Sequence, residues 1–248
     1  MPACFDALSH LPNAVKITLM ECLADDLVLL SIHPEKGYLR TSQNIGFGLT
    51  GVELLQLAAL GRIGIRADRI IVLDRRPTGA AELDTALASI AEAKRPPRLN
   101  AWIARGRPGI ISAYLGRLIA GGWLEPQAAR FLRSARFKIT DPARAASARH
   151  RLDAVALTSS QVDNAQAALG GLSHAILLDR FIYPGWANRA VRWRLEDVGK
   201  GRWTRPGMVA AAGPDPAATA GMTRAVTSAV AAAVARQARR AGLPPGAI

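Results

Sequence analysis

The chain has 248 residues, half of them apolar and only 5% aromatic, with 32 basic against 19 acidic residues and a formal charge of +13. So much apolar material excludes wholesale disorder and provides a core built mainly of Leu, Ile, Val and Ala, in one large domain or two small ones. The basic excess favours an anionic partner, whether nucleic acid, an anionic membrane surface or a phosphorylated small molecule, while two cysteines, Cys4 and Cys22, exclude a disulfide framework.

In chain order, "TLMECLADDLVLLSI" opens with Thr18 and Glu21 in capping-box spacing. Leu19, Leu23, Leu27 and Leu30 follow at helical intervals, which predicts an amphipathic helix. "GLTGVELLQLAALGRI" reads as a second helix, apolar nearly all round and therefore central. "GIRADRIIVLD" reads as two short strands about a tight turn, and "AAELDTALASIAEA" as a helix with Leu83, Leu87 and Ile90 on one face. "NAWIARG" and "GIISAYLGRLIAGG" read as two more helices. A second hairpin is expected from Phe131, Arg133, Phe137 and Ile139, with "RSAR" near its tip. Asp141–Pro142 has the spelling of a helix start. "ARHRLDAVAL", "SQVDNAQAALGGLSHAILLDRFI" and "NRAVRWRLEDV" have helical period, and an Ala-rich helix is expected from about Thr219 to Arg240. No internal repeat at a fixed period is visible. The prediction is a mainly α, single-domain fold with two small hairpins.

No basic stretch followed by an apolar run marks the N-terminus as a secretory signal. The run "AVTSAVAAAVA" is too short to span a bilayer, so any membrane association is expected to be peripheral, from the cytoplasmic side.

"GFGLTG" places Gly46, Gly48 and Gly51 in the G-x-G-x-x-G spacing of a dinucleotide-binding loop, and Asp74 sits where that fold puts its ribose-binding acid. The polar Ser42-Gln43-Asn44 before it cannot form a central buried strand, and nothing downstream alternates strand with helix. Close helix packing at Gly48 and Gly51 is the competing explanation. The four histidines (10, 33, 150, 174) are scattered, and His174 reads as a satisfied core histidine. Asp25 and Asp26 are adjacent on a helix and point apart, a poor acid–base pair. No catalysis, metal or cofactor is expected. "RWRLEDVGKGRWTR" interleaves Trp193 and Trp203 with cations, as a nucleic-acid binder would. Trp193, at helical spacing from Ala190 and Asp197, also fits a core anchor.

The order of Gly37-Tyr38-Leu39, Gly48-Leu49-x-Gly51, Leu55-x-Leu57-Ala58-x-x-Gly61-Arg62-Ile63, the Trp102-Ile103 pair, "LIAGGWL", "ITD" and "RHRLDAV" closely resembles the Golgi phosphoprotein 3 family over roughly residues 15 to 235. The Arg- and Ala-rich composition resembles that of an actinobacterial member. The resemblance implies a domain over 15–241 between flexible termini at 1–14 and 242–248. It implies a central helix bundle surrounded by amphipathic helices, with a projecting β-hairpin. It also implies a non-enzymatic peripheral membrane adaptor that binds phosphatidylinositol 4-phosphate, with membrane-associated or biosynthetic enzymes as its cargo, and self-association through the hairpin.

The family's four headgroup positions fall on Thr41, Thr50, Pro108 and Ile111, so all four are substituted. The resemblance therefore implies anionic-lipid binding more broadly. Arg40, Arg105, Arg107 and Arg117, close by in sequence, are the cations that could rebuild a phosphate pocket around Thr41 and Thr50. The membrane-contacting hairpin would present Phe131, Leu132, Arg133, Arg136, Phe137 and Lys138. Two other functions compete: a basic helical nucleic-acid-binding protein, and a nucleotide-binding enzyme using Gly46, Gly48 and Gly51.

Overall fold

A helix with no charged stripe has no side to give to solvent, and that decides where residues 45–59 lie. In the computed structural model, which describes residues 22–127, 135–157, 162–202 and 216–242, helix α2 (Ile45–Ala59) is the centre of the bundle. It packs against α1 (Leu23–Ser31), α3 (Ala81–Ala91), α4 (Leu99–Arg105) and α5 (Ile110–Ala120), and against α7 (Asn164–Ala175) and α10 (Pro216–Arg240). Helix α6 (Pro142–Leu157) covers α1 and α7, and α9 (Arg189–Gly199) closes over α7. A single turn, α8 (Asp179–Ile182), and a 3₁₀ turn (Trp186–Asn188) link α7 to α9. The fold is mainly α and a single domain.

The described residues hold two antiparallel sheets of two strands each and no parallel sheet. Strands β1 (Ile63–Arg66) and β2 (Arg69–Val72) pair in the register Ile63↔Val72 to Arg66↔Arg69. Their two-residue turn puts both Ala67 and Asp68 at positive φ, 48° and 61°, the left-handed pair whose twist matches the flanking strands. Strands β3 (Leu124–Gln127) and β4 (Arg136–Ile139) pair from Leu124↔Ile139 to Gln127↔Arg136. The second hairpin lies within the stretch the sequence suggested, Arg136 of "RSAR" is the first residue of β4, and the tip, 128–134, lies outside the described residues. Phe131, Leu132 and Arg133 lie outside the described residues.

The Gly37-Tyr38 pair has a structural reason. Gly37 has φ +67°, its carbonyl accepts from the Phe137 amide at 2.8 Å, and a Cβ there would stand 2.4 Å from the Phe137 carbonyl oxygen. Only glycine lets residues 37–38 lie against β4.

Two helix expectations are corrected. The first helix is not amphipathic over its described part: every residue from Leu23 to Ser31 is buried, Asp25 and Asp26 included. The stretch from Ser160 to Ile182 is not one helix. Helix α7 opens on a capping box, with the Gln166 amide donating to Asp163 at 2.7 Å and the Asp163 amide to Gln166 at 3.1 Å. It ends before Leu177, whose φ of +65° turns the chain. At the start of α6, the Arg144 amide donates to the Asp141 carboxylate at 3.0 Å, as Asp141–Pro142 predicted.

Candidate functional site

The sequence Arg105-Gly106-Arg107-Pro108-Gly109 joins two helices in five residues, counting the last of α4. Gly106 (φ +63°) and Gly109 (φ +73°) supply the left-handed steps that reverse the chain so tightly. The turn faces the segment that opens α2, and together they enclose an open pocket of 360 Å³. Gln43, Gly46 and Phe47 form one wall. Arg105, Arg107 and the first turn of α5, through Ile111 and Ser112, form the other. The Ile110 amide donates to the Arg107 carbonyl at 3.2 Å, and the start of α5 carries the positive end of the helix dipole, which favours an anion at this wall.

The two pocket arginines differ. Arg105 is exposed, with its guanidinium 4.8 Å above the Trp102 ring, which positions the cation and leaves its donors to solvent. Arg107 is mostly covered and donates to the carboxylate of Glu53, a residue only 2% exposed. Burial raises the Glu53 pKa to about 7, against the pull of Arg107 and of the Tyr114 hydroxyl, which donates from 3.5 Å. Burial and the Glu53 charge push the Tyr114 phenol up in turn.

The other candidate positions lie elsewhere. Thr50 is buried, and its hydroxyl donates to the Gly46 carbonyl at 2.9 Å, one turn beneath the pocket wall. Arg40 and Thr41 belong to the turn before α2. The Arg40 amide donates to Ser31 at 2.6 Å, and Thr41 has φ +49°. Neither residue lines the pocket. Arg117 is bound into the core: it donates to Asp25, lies 3.6 Å from Glu82 and covers the Tyr114 ring. Pro108, like Ile111, lines the pocket.

Period two governs β4: Arg136 and Lys138 are exposed and Phe137, between them, is buried in the core. Phe137 therefore leaves the set of membrane-facing residues. Sequence reasoning missed Gln43, Phe47, Ser112 and Glu53. A glutamate in the middle of an otherwise apolar helix was the one available signal for Glu53.

The glycine spacing is a packing device. Gly46, Gly48 and Gly51 are all inside α2, the Gly48 amide donates to the Asn44 carbonyl at 3.3 Å, and Gly48 and Gly51 are the two pressed against neighbouring elements. A Cβ on Gly48 would lie 3.0 Å from Ile176 and Leu27, and one on Gly51 would lie 3.0 Å from Leu172 and Val230. Asp74 binds Arg76 and Arg62; the hydrogen bonds from Arg76, helped by the nearby Arg62 charge, hold its carboxyl down at about 2. With no parallel strand in front of the glycines, the nucleotide-binding reading is set aside.

His174 holds its ring against the buried Asp179, with Nδ1 and Oδ2 2.8 Å apart. Trp193 is not a core anchor: it is 53% exposed, and Arg189 lies between its ring and that of Trp186, 4.3 and 4.1 Å away. Trp203 lies outside the described residues.

These features define a class, a mainly helical domain with a basic surface pocket at a helix–helix turn, and not an α/β dinucleotide-binding fold. A family model described as Golgi phosphoprotein 3 (GPP34) matches residues 23–214, and the chain belongs to that family. Membership places it with lipid-binding adaptors at the level of the family. A search of curated proteins returns no match. Among the described residues, no helix is long and apolar enough to cross a membrane.

Proposed function

We infer that this protein is a peripheral membrane adaptor that binds anionic phospholipid headgroups in the pocket between the start of α2 and the α4–α5 turn. One observation carries the reading. In a chain of this family, the exposed Arg105 and the first turn of α5 line one open pocket, at the turn where the sequence resemblance puts the headgroup arginines. Pro108 and Ile111 stand at those arginine positions, Arg107 is paired with Glu53, and the exposed cation of the pocket is Arg105. Phosphatidylinositol 4-phosphate is the family ligand, and a headgroup phosphomonoester is the group this wall suits: Arg105 supplies a guanidinium fork and α5 its amides. The protein acts without catalysis at the cytoplasmic face of the membrane, holding membrane-associated or biosynthetic enzymes there. Self-association runs through the β3–β4 hairpin.

Liposome flotation tests this. Neutral vesicles are compared with vesicles holding phosphatidylinositol 4-phosphate, phosphatidylinositol or cardiolipin at equal charge, each at low and high salt. Binding to anionic vesicles that drops on Arg105→Ala supports the pocket, and a preference for the 4-phosphate that survives salt makes it headgroup-specific. Absence of binding to every vesicle overturns the reading. A second reading, nucleic-acid binding, draws on the exposed Trp186–Arg189–Trp193 stack, which offers ring faces to bases. Anisotropy with single-stranded oligonucleotides, compared with Trp186→Ala, decides it.

A further inference from the structure

The β1–β2 hairpin is not alone. Residues 96–98 lie along β2: the Ile70 amide donates to the Pro97 carbonyl at 2.9 Å, the Leu99 amide to Asp68 at 2.9 Å, and Arg98 bridges Arg69. Arg66 is directly opposite Arg69 on β1. Directly opposed residues share a face of a sheet and lie about 5 Å apart. Arg66, Arg69 and Arg98 therefore form a row of three guanidinium side chains across three neighbouring segments.

Like charges directly opposed disfavour the sheet, and nothing local neutralises these. Among the described residues none of the three has a carboxylate within ion-pair distance, although Asp68 at the turn and Glu92 lie near in sequence. Arg69 donates instead to the Pro96 carbonyl at 2.7 Å. More cations converge here. Lys94 and Arg95 are exposed in the loop before the row. Arg236 of α10 reaches the Asn100 carbonyl at 3.3 Å, and Arg240 lies one turn further along that helix.

Helix α4 connects this row to the pocket. Arg98 is its N-cap and Arg105 its last residue, seven residues and about 10 Å on. Leu99, Trp102 and Ile103 are buried, while Ala101, Ala104 and Arg105 are exposed. Arg98, Ala101 and Arg105 are spaced three and four apart and so lie on one face. Trp102 is buried beneath Arg105, and the exposed positions between the two cationic ends are Asn100, Ala101 and Ala104, so no long side chain keeps a flat partner from touching both.

The geometry points to a second membrane contact: the row Arg66–Arg69–Arg98 and the exposed face of α4 lie flat on an anionic bilayer, binding several lipid phosphates without regard to headgroup, while the pocket holds one. This rests on the lipid-binding reading above. A bilayer is the occupant because it is the planar polyanion that reaches the row and the pocket together.

The experiment is flotation of the full chain with phosphatidylcholine vesicles, with and without phosphatidylglycerol, comparing wild type, Arg66→Glu/Arg98→Glu and Arg105→Ala. Arg66 and Arg98 are both exposed, and circular dichroism with a melting curve confirms that the double variant folds. Each cation near an anionic surface raises partitioning about fivefold. The double reversal is therefore expected to lower partitioning about tenfold or more at low salt, with the wild-type advantage lost at high salt. A folded double variant that floats like wild type, while Arg105→Ala is impaired, overturns the row and leaves the pocket standing. A wild-type protein that floats with no vesicle overturns both. Tighter row-dependent binding to a single-stranded oligonucleotide than to vesicles at equal phosphate concentration also overturns the bilayer contact and assigns the row to nucleic acid.

Discussion

The guanidinium of Arg107 donates to the buried carboxylate of Glu53, tying the pocket wall to the central helix. The Glu53 pKa is raised to about 7 from an ordinary 4.5, because burial outweighs the attraction of Arg107. Between those values the folded protein holds a proton that the unfolded chain has released. Stability is therefore expected to fall as pH rises from 4.5 through 7, by on the order of 3 kcal/mol from this group. Urea unfolding across that range measures it, and Glu53→Gln should flatten the slope.

Removing the cation should act in the same sense. Arg107→Ala leaves an uncompensated buried carboxylate at pH 8 and is expected to cost about 3–5 kcal/mol there. At pH 5 the protonated acid makes the loss smaller. Equal losses at both pH values would show that Arg107 stabilises through packing alone.

Glycines in this bundle should rank by what a methyl group would meet. At Gly171 a Cβ would lie 2.7 Å from the Gly199 Cα, backbone against backbone where α7 crosses α9. Gly171→Ala is expected to cost about 2–3 kcal/mol. Gly46→Ala meets Ile111 only at 3.8 Å and should be neutral, or stabilise by up to about 1 kcal/mol through helix propensity. Thermal unfolding of the two variants checks the order.

Arg151 grips Asp26 with two nitrogens, its Nε 2.6 Å from Oδ2. Burial pushes the Asp26 carboxyl up and the guanidinium pulls it back. Arg151→Ala is expected to cost about 3–5 kcal/mol. Arg151→Lys keeps the charge but loses the fork and should recover only part of that in chemical denaturation.

Thr41 is a β-branched residue at φ +49°, and its buried hydroxyl has no hydrogen-bond partner among the described residues. Both features cost stability. Thr41→Gly is expected to gain about 1 kcal/mol net of the extra freedom of the unfolded chain, read as a higher melting temperature.

What the sequence by itself determined was local and periodic. The spacing of Leu83, Leu87 and Ile90 defined α3, the Ala67–Asp68 turn between two short apolar runs defined β1 and β2, and Asp141–Pro142 defined the start of α6. The ordered motifs from Gly37 to the "RHRLDAV" helix carried the family. Period and capping act within one or two turns of chain, so they are written in neighbouring residues. Which charges are satisfied is decided by partners far along the chain, and only the tertiary structure shows it. Arg117 looked like a headgroup cation until Asp25, 92 residues away, was found holding it. Asp25 and Asp26 read in sequence only as a poor acid–base pair; the fold buries them and brings Arg117, Arg144 and Arg151 from α5 and α6 to neutralise them. Arg66, Arg69 and Arg98, unremarked in sequence, became one row because sheet pairing places distant residues side by side. The sequence could count its arginines; the fold decided which were committed to internal carboxylates and which were left exposed.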